Sequence, residues 1–134
     1  MSERSSSALV SVVIPVHDAA EYISDTLSSI LSQSLQDIEV VIIDDNSADD
    51  TLKLLQSFAA SDSRIRLLNN SQNIGAGASR NMGLKIASGE YIIFLDDDDY
   101  PDANMLKRMY DHAVLLQADA VICRCQSLDL QTHS

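Results

Sequence analysis

The sequence predicts an α/β fold with a mostly parallel β-sheet in β/α/β alternation. Three short apolar runs rich in β-branched residues are typical of strands that are buried on both faces of such a sheet. Between the runs, apolar residues recur at the three- and four-residue spacing of amphipathic helices. Strands that alternate with helices along a chain favour a parallel sheet with helices packed on both faces.

Five runs predict strands, of which the first, second and fourth are the most apolar. The first run (ALVSVVIPV) contains Pro15, where we expect the strand to end. The second (IEVVII) and the fourth (YIIFL) each stop at an aspartate, and the other two runs are weaker. In chain order, the predicted strands are 8–16, 38–43, 65–68, 91–95 and 118–123.

Four helices are predicted between these strands from their apolar spacing. Asp18 and Glu21 resemble a capping box before the first helix, and Ser47 is a candidate N-cap for the second, with Asp50 at the third position. Gly89 is expected to close the third helix. The apolar positions of the four helices are, in order, Tyr22, Leu27, Ile30 and Leu31; Leu52, Leu55, Phe58 and Ala59; Ala78, Met82 and Ile86; and Leu106, Met109, Tyr110 and Ala113.

Length and composition indicate one domain at 8–134, preceded by a disordered, serine-rich tail at 1–7. The chain has 134 residues, and its hydrophobic fraction of 46% is enough for one packed core. No run approaches the ~20 apolar residues of a membrane span, so we expect a cytoplasmic domain, with peripheral membrane contact left open. Cys123 and Cys125 share a predicted strand face and are interpreted as core or edge residues.

The strongly acidic balance restricts the class of ligand. The formal net charge is −11, and so acidic a surface repels phosphate backbones, which argues against a nucleic acid partner. An anionic small ligand would need a positive mediator, of which a divalent cation is the simplest.

Polar residues cluster where the predicted strands end, which is the edge at which open α/β sheets bind ligands. These groups are far apart in the sequence, but we expect them to converge in space. They are Pro15, His17 and Asp18 at the first strand; Asp44, Asp45 and Asn46 at the second; and the four aspartates at 96–99 after the fourth.

The four adjacent aspartates are costly to hold charged together. Two unit charges about 5 Å apart repel by roughly 3 kcal/mol at an effective dielectric constant of ~20. A hard divalent cation, which prefers carboxylate oxygens, would remove this repulsion and leave positions for the phosphates of a ligand. The cluster therefore predicts metal-bridged binding of a diphosphate. The alternative is an acidic turn that caps the helix after Pro101.

Three further residues have both a ligand-binding and a structural interpretation. Asp45 could accept a hydrogen bond from a base N–H or a ribose hydroxyl, or belong to a turn that Asn46 and Ser47 favour. Arg80, in the segment GAGASRN, could bind a phosphate or a neighbouring aspartate, or form a surface salt bridge. His17 could pack its ring on a nucleobase, or be a loop histidine with no role.

Together these stretches resemble the N-terminal half of the family 2 inverting glycosyltransferases. From Val10 to Leu106 the chain has a strand ending in P-x-x-[ND], a strand ending in DD-x-S-x-D-x-T, a G-x-x-x-[AS]-R-N-x-G segment and a strand ending in D-x-DD. The combined order is highly specific. The resemblance implies a Rossmann-like GT-A fold and cell-envelope polysaccharide synthesis. A sugar would pass, with inversion, from a nucleoside diphosphate-sugar, expected to be a UDP-sugar, to a hydroxyl of a saccharide or glycoconjugate acceptor.

The resemblance also implies roles for individual residues. Asp98 would be the direct ligand of Mn²⁺ or Mg²⁺, with Asp96 as a second metal residue of a D-x-D motif. Asp45 would contact the base, most often uracil, and Arg80 would lie near the ribose and diphosphate. The residues implied in nucleotide-sugar binding are Pro15, Val16, His17, Asp18, Asp45, Arg80, Asp96 and Asp97.

The chain departs from the family pattern in two respects. Members often carry an aromatic residue followed by Asn where this chain has His17 and Asp18. The general base and most of the acceptor site lie in the C-terminal half of the family, so we expect the base beyond Ser134. The chain is accordingly expected to be a fragment that binds the donor without turnover.

Two other classes of α/β protein require residues that this chain lacks at the matching positions. A receiver-type regulatory module needs an acidic pair after the first strand and a Lys after the fifth, where this chain has PVHD and Arg124. A nucleotidyltransferase would usually carry a Gly-rich, basic loop after the first strand, and residues 17–20 (HDAA) are neither. A structural unit or nucleotide-binding module without transferase activity is the remaining alternative.

Overall fold

Four parallel strands and four helices alternate along the chain in the computed structural model, which describes residues 8–117 and residue 119. The strands are β1 (Val10–Val16), β2 (Ile38–Asp44), β3 (Ile65–Asn69) and β4 (Tyr91–Phe94). The helices are α1 (Ile23–Leu31), α2 (Thr51–Ser61), α3 (Ala76–Ile86) and α4 (Met105–Leu115). The sheet order is β3-β2-β1-β4 and every neighbouring pair is parallel, so the predicted α/β class is confirmed.

Some predictions concern parts of the chain that the structure does not describe. The predicted strand at 118–123, apart from Asp119, lies outside the described residues. The same holds for Cys123, Cys125 and the predicted tail at 1–7. The other four predicted strands and all four predicted helices are present.

The two faces of the sheet carry cores of different size. On the larger side, alternate residues of β1 and β2 pack against α1, α2 and α4, with Val12, Ile42, Leu27, Leu55 and Leu106 among the buried members. On the other side, a smaller core packs against α3 and consists of Val13, Val41 and Ile43 with Met82 and Ile86 beside them. Alternate side chains of a strand point to opposite faces, so one apolar run supplies both cores.

The direction in which the chain crosses the sheet reverses at β1. From β1 the chain passes to β2 and β3 on one side, and it then returns to pair β4 with the other side of β1. The helix before β4 is α3, which packs on the face opposite to α1 and α2. Open α/β sheets bind ligands at the carboxyl ends of the strands at such a reversal.

Strand β1 ends at Val16, the last residue of the predicted range 8–16, so Pro15 lies inside the strand and not at its end, paired with Ile43. The carbonyl of Val13 accepts the backbone N–H of Leu95, so Pro15, two residues on, faces the same side of β1. The pairing of β4 with β1 has ended by then, opposite Val13. Proline has no N–H to donate, and at position 15 none is needed, because no β4 residue pairs with β1 there.

The capping predictions for α1 and α2 are wrong, because contacts between loops use the side chains concerned. Neither helix has a side-chain N-cap hydrogen bond. The carboxylate of Asp18 accepts the N–H of Ala48 at 2.7 Å, and Ser47 Oγ accepts the N–H of Asp18 at 2.9 Å. These side chains join the loop after β1 to the loop after β2.

Gly89, predicted to close α3, lies instead against β1. Helix α3 ends at Ile86 and its C-cap residue is Ala87. A Cβ at position 89 would lie 2.6 Å from the backbone N of Ser11, and the N–H of Gly89 donates to Ser11 Oγ at 2.8 Å. The close approach of the α3–β4 loop to β1 therefore requires glycine.

A buried carboxylate anchors the same loop at the amino ends of the strands. Glu39 is 4% exposed and accepts hydrogen bonds from Ser11 Oγ at 2.6 Å and from the N–H of Ser88 at 2.9 Å. The Arg66 guanidinium donates to its other oxygen at 3.0 Å. Burial would raise the pKa of Glu39, but the hydrogen bonds from Ser11, Ser88 and Arg66 outweigh it and hold the pKa below its ordinary value.

Within the described part of the chain, each helix is too short or too polar to cross a membrane.

Candidate functional site

An open cleft of about 270 Å³ lies at the carboxyl ends of β1, β2 and β4, beside the first residue of α3. The cleft occupies the point at which the strand order reverses, so the residues that follow separate strands do converge, as predicted from the strand ends. Its lining residues are Pro15, Val16, His17, Asp45, Ala76, Asp96, Asp97 and Asp98. Two predicted site residues, Asp18 and Arg80, are not among them.

The aspartates after β4 form a compact acidic turn, residues 96–99. Asp99 donates its N–H to the carbonyl of Asp96 at 3.1 Å, and Asp96 donates its N–H to Asp99 Oδ2 at 2.7 Å. Carboxylate oxygens of Asp96, Asp98 and Asp99 lie within 4.8 Å of one another. Three carboxylates at this spacing suit a hard divalent cation. The turn thus brings together the two predicted metal residues, Asp96 and Asp98, and adds Asp99.

Asp97 makes a different contact. Its Oδ2 accepts the backbone N–H of His17 at 3.1 Å, which ties the acidic turn to the end of β1. Burial raises the pKa of Asp97, and the charges of Asp98 and Asp96 raise it further against the opposing effect of the His17 hydrogen bond. A cation bound at the turn would offset this repulsion and favour the charged form of Asp97.

Arg80 brings a positive charge to the acidic turn. Its Nη2 donates to Asp96 Oδ1 at 2.9 Å, which links α3 to the end of β4. The two side chains are 37% and 60% exposed, so the ion pair itself contributes little to stability. The sequence left two partners open for Arg80, a phosphate or a neighbouring aspartate. In the structure, Arg80 is bound to the aspartate, Asp96.

Asp45 is buried and its carboxylate holds the loop that leads into α3. Oδ1 accepts the N–H of Ile74 at 2.8 Å and Asn70 Nδ2 at 3.0 Å, and Oδ2 accepts the N–H of Gly75 at 2.8 Å. Burial would raise the pKa of Asp45, but the hydrogen bonds from Ile74, Asn70 and Gly75 outweigh it and lower the pKa. Gly75 has φ of +93°, in the region that favours glycine. Asp45 thus shapes the wall of the cleft through this loop.

His17 lies exposed just after β1, where its ring contacts Asp45, Asn73 and Asp18. Nδ1 is 2.8 Å from the carbonyl oxygen of Asp45, which can only accept a hydrogen bond. Nε2 lies 3.3 Å from Asn73 Nδ2 and 3.3 Å from the carboxylate oxygen Oδ2 of Asp18. The neighbouring Asp18, with φ of +47°, donates its N–H to Ser47 Oγ at 2.9 Å. Asp18 therefore connects two loops beside the cleft.

Gln33 was not predicted as a site residue from the helical spacing or the motifs. In the structure it contacts residues 102–106, which follow the acidic turn. Gln33 is fully buried just beyond α1. Its Nε2 donates to the carbonyl of Asp102 at 2.6 Å, and its Oε1 accepts the N–H of Leu106 at 3.1 Å. A lone glutamine carries no sequence signal for such contacts, because both partners lie about seventy residues away.

The chain matches known protein sequences over most of its length. Residues 11–132 match the model of the family described as Glycosyl transferase family 2. The UDP-Glc:α-D-GlcNAc-diphosphoundecaprenol β-1,3-glucosyltransferase WfgD of Escherichia coli is 44% identical over 99 residues, which make up 74% of this chain and 38% of WfgD. The chain spans less than half the length of the curated relatives that it matches first, at 38%, 37% and 48% of theirs.

Two solved structures share the fold. TarS 1-349 of S. aureus in complex with UDP-GlcNAc has a TM-score of 0.71 and 32% sequence identity, over 81% of this chain and 31% of that chain. The mannosyltransferase PcManGT from Pyrobaculum calidifontis, in complex with GDP-Man and Mn²⁺, has a TM-score of 0.68 and 25% identity, over 76% and 31%. The Rossmann-like GT-A fold implied by the resemblance is thereby confirmed. By its fold, its motifs and the match over residues 11–132, the chain belongs to glycosyl transferase family 2.

Proposed function

We propose that this chain binds the sugar donor of a metal-dependent glycosyltransferase, and that the donor is a UDP-sugar. The observation that carries the proposal is the cleft at the strand reversal, with Asp96 and Asp98 in its lining and their carboxylates close to that of Asp99. The relatives support the class of donor, since WfgD is named for UDP-Glc and TarS was solved with UDP-GlcNAc.

In this proposal the acidic turn holds Mn²⁺ or Mg²⁺ through Asp96, Asp98 and Asp99. Their carboxylate oxygens are suitable ligands for either ion, and the Mn²⁺ in the PcManGT complex supports a divalent cation. When bound, the cation would stabilise the charge that develops on the departing diphosphate. A chain with a net charge of −11 would otherwise repel a diphosphate at this turn.

The nucleoside is proposed to lie against the end of β1, where Pro15, Val16 and His17 line the cleft. The imidazole of His17, oriented by the Asp45 carbonyl, would offer a planar surface to the base. Asp45 contributes by fixing the loop before α3, and a bond to the base would add to the three it already accepts. Arg80 would place its charge near the ribose and diphosphate through its contact with Asp96.

The proposed reaction is single displacement with inversion, in which a hydroxyl of a saccharide or glycoconjugate attacks the anomeric carbon opposite the diphosphate. WfgD, whose name specifies a GlcNAc-diphosphoundecaprenol acceptor, supports an acceptor of this class. The hydroxyl must lose a proton, so a general base is needed. We place that base outside the described residues. The chain alone should therefore bind donor without multiple turnover, and sustained turnover by it would refute this assignment.

Calorimetric titration with UDP, with and without Mn²⁺, tests the donor and metal assignments together. UDP binding is expected to require Mn²⁺ and to weaken by at least about tenfold in Asp98→Asn. Asp111→Asn is a matched control, because Asp111 is an exposed aspartate on α4 whose partner is Lys107. Binding that persists in EDTA, or that Asp98→Asn leaves unchanged, would contradict the proposal.

A further inference from the structure

We propose that Gln33 is a positioning residue for the acidic turn, and the proposal rests on the metal site assigned under the proposed function. The side chain is 0% exposed. A buried primary amide must find partners for its N–H groups and its oxygen, since leaving them unpaired is costly. The strongest of these partners lie on the segment that follows the acidic turn, which is far from Gln33 in the sequence.

Three hydrogen bonds join the end of α1 to residues 102–106. The Gln33 amide donates to the Asp102 carbonyl at 2.6 Å and accepts the N–H of Leu106 at 3.1 Å. The next residue, Ser34, donates its N–H to the carbonyl of Ala103 at 2.9 Å. Helix α4 has no side-chain N-cap hydrogen bond from its own N-cap residue. Gln33 therefore supplies, from the loop after α1, a partner for one of the N–H groups that a helix start leaves free.

The acidic turn is attached to the fold at its start, through two of its side chains and beyond its end. At its start, Leu95 donates its N–H to Val13 of β1 at 3.1 Å, so the turn leaves the sheet in register. Beyond its end, Asp102 is bound to Gln33. The internal hydrogen bonds of the turn set its local shape, but they do not fix where the three carboxylates lie relative to the cleft. On the cleft side, the turn is held by the His17 N–H at Asp97 and by Arg80 at Asp96. Gln33 holds the far side through Asp102.

Loss of the Gln33 amide contacts should weaken cation binding more than an equally destabilising change far from the acidic turn. If the segment after the turn shifts or fluctuates, the three carboxylates must be ordered when the cation binds. Residues that orient metal ligands from outside the coordination sphere typically change metal affinity by about 10–100-fold. Because Gln33 acts through the backbone and not on a carboxylate, we expect a weakening of about fivefold to tenfold.

Gln33→Met, with Ser11→Ala as the matched control, tests the role. Methionine keeps the length of the side chain and removes both polar ends. Ser11 is also 0% exposed, and its hydroxyl makes two hydrogen bonds, to Glu39 and from Gly89, at the opposite end of the sheet. The measurements are thermal unfolding and the affinity for Mn²⁺ alone, followed by loss of the electron paramagnetic resonance signal of the free ion.

The affinity for Mn²⁺ is expected to fall by at least about fivefold in Gln33→Met and by less than about twofold in Ser11→Ala, at a temperature where both variants are folded. Equal effects of the two variants on Mn²⁺ affinity would overturn it. If Gln33→Met does not fold, Gln33→Asn replaces it under the same criterion, because it stays neutral and polar but is one methylene too short to keep both hydrogen bonds. Wild-type Mn²⁺ affinity in Asp98→Asn would refute the metal site itself, a result distinct from failure of the Gln33 role alone.

Discussion

The carboxylate of Asp45 accepts the backbone N–H of Gly75 at 2.8 Å, which joins the end of β2 to the start of α3. The other carboxylate oxygen accepts the N–H of Ile74 at the same distance. The residue that follows Gly75, Ala76, lines the cleft. One buried acid therefore couples the stability of the fold to the shape of the candidate site.

Asp45→Ala should be strongly destabilising. It removes the acceptor of two backbone N–H groups and of the Asn70 side chain in a position that is 3% exposed. We expect the free energy of unfolding to fall by about 3 kcal/mol, since hydrogen bonds to buried charged groups contribute about 1.5–3 kcal/mol each and are not additive. Urea denaturation at pH 7 measures this change. A loss under about 1 kcal/mol would show that the loop finds other partners.

The contribution of Asp45 should depend on pH in a defined direction. Its pKa is lower in the folded protein than the ordinary value of 3.8, so the charged form stabilises the fold. That stabilisation is fully present above the ordinary value and is lost as the pH falls through the lower folded pKa. The stability difference between the wild type and Asp45→Asn should therefore narrow below pH 3.8, as measured by denaturation at a series of pH values. A difference that widens on acidification would contradict this.

Gly83→Ala should loosen the packing of α3 on the sheet. A Cβ at this position would lie 2.5 Å from Val13 Cγ1 and 2.8 Å from Ile43 Cδ1, so the helix or both side chains must move. We expect a loss of about 2 kcal/mol, typical of an overpacked core. Gly77→Ala on the same helix is the control, because its Cβ would have nothing within 4 Å. Thermal unfolding should show that change to be neutral or stabilising by up to about 1 kcal/mol.

Mn²⁺ should stabilise the folded chain if the acidic turn binds it. A ligand at 100 times its dissociation constant stabilises the state that binds it by about 2.7 kcal/mol. The thermal midpoint should therefore rise with Mn²⁺ and return to its starting value with EDTA. Asp98→Asn should lose the increase, whereas Asp111→Asn should retain it. An increase of equal size in both variants would place the bound cation elsewhere.

Arg80→Gln should change cation and nucleotide binding in opposite directions. The variant removes a positive charge that contacts Asp96, so Mn²⁺ alone should bind about threefold more tightly at low salt. UDP in the presence of Mn²⁺ should bind less tightly, because the proposed role of Arg80 is to face the diphosphate. Stability should change by less than about 1 kcal/mol, as expected of an exposed pair.

Lys53→Gln is the control for this pair of titrations, because it removes one positive charge from an exposed position on α2. If Arg80→Gln leaves UDP affinity at the control value, Arg80 has no part in nucleotide binding.

The four described strands could be predicted to within two residues at each end because their signals are local. Apolar runs such as IEVVII stop at aspartates, and parallel order follows from alternation with helices. The helix caps could not be predicted, because Asp18 and Ser47 do not cap the nearest helix. Asp18 instead bonds to Ala48, 30 residues away, and to Ser47, 29 residues away. Gln33 was missed for the same reason.

The sequence by itself determined the α/β class, the placement of acids at the carboxyl ends of three strands and the family to which the chain belongs. Only the tertiary structure decided which acid does what: Asp99 joins Asp96 and Asp98, Asp97 bonds to His17, and Asp45 holds the loop before α3. The physical reason is that strand formation depends on neighbouring residues. The role of a carboxylate depends on which N–H groups the folded chain brings within hydrogen-bonding distance, and those come from other elements.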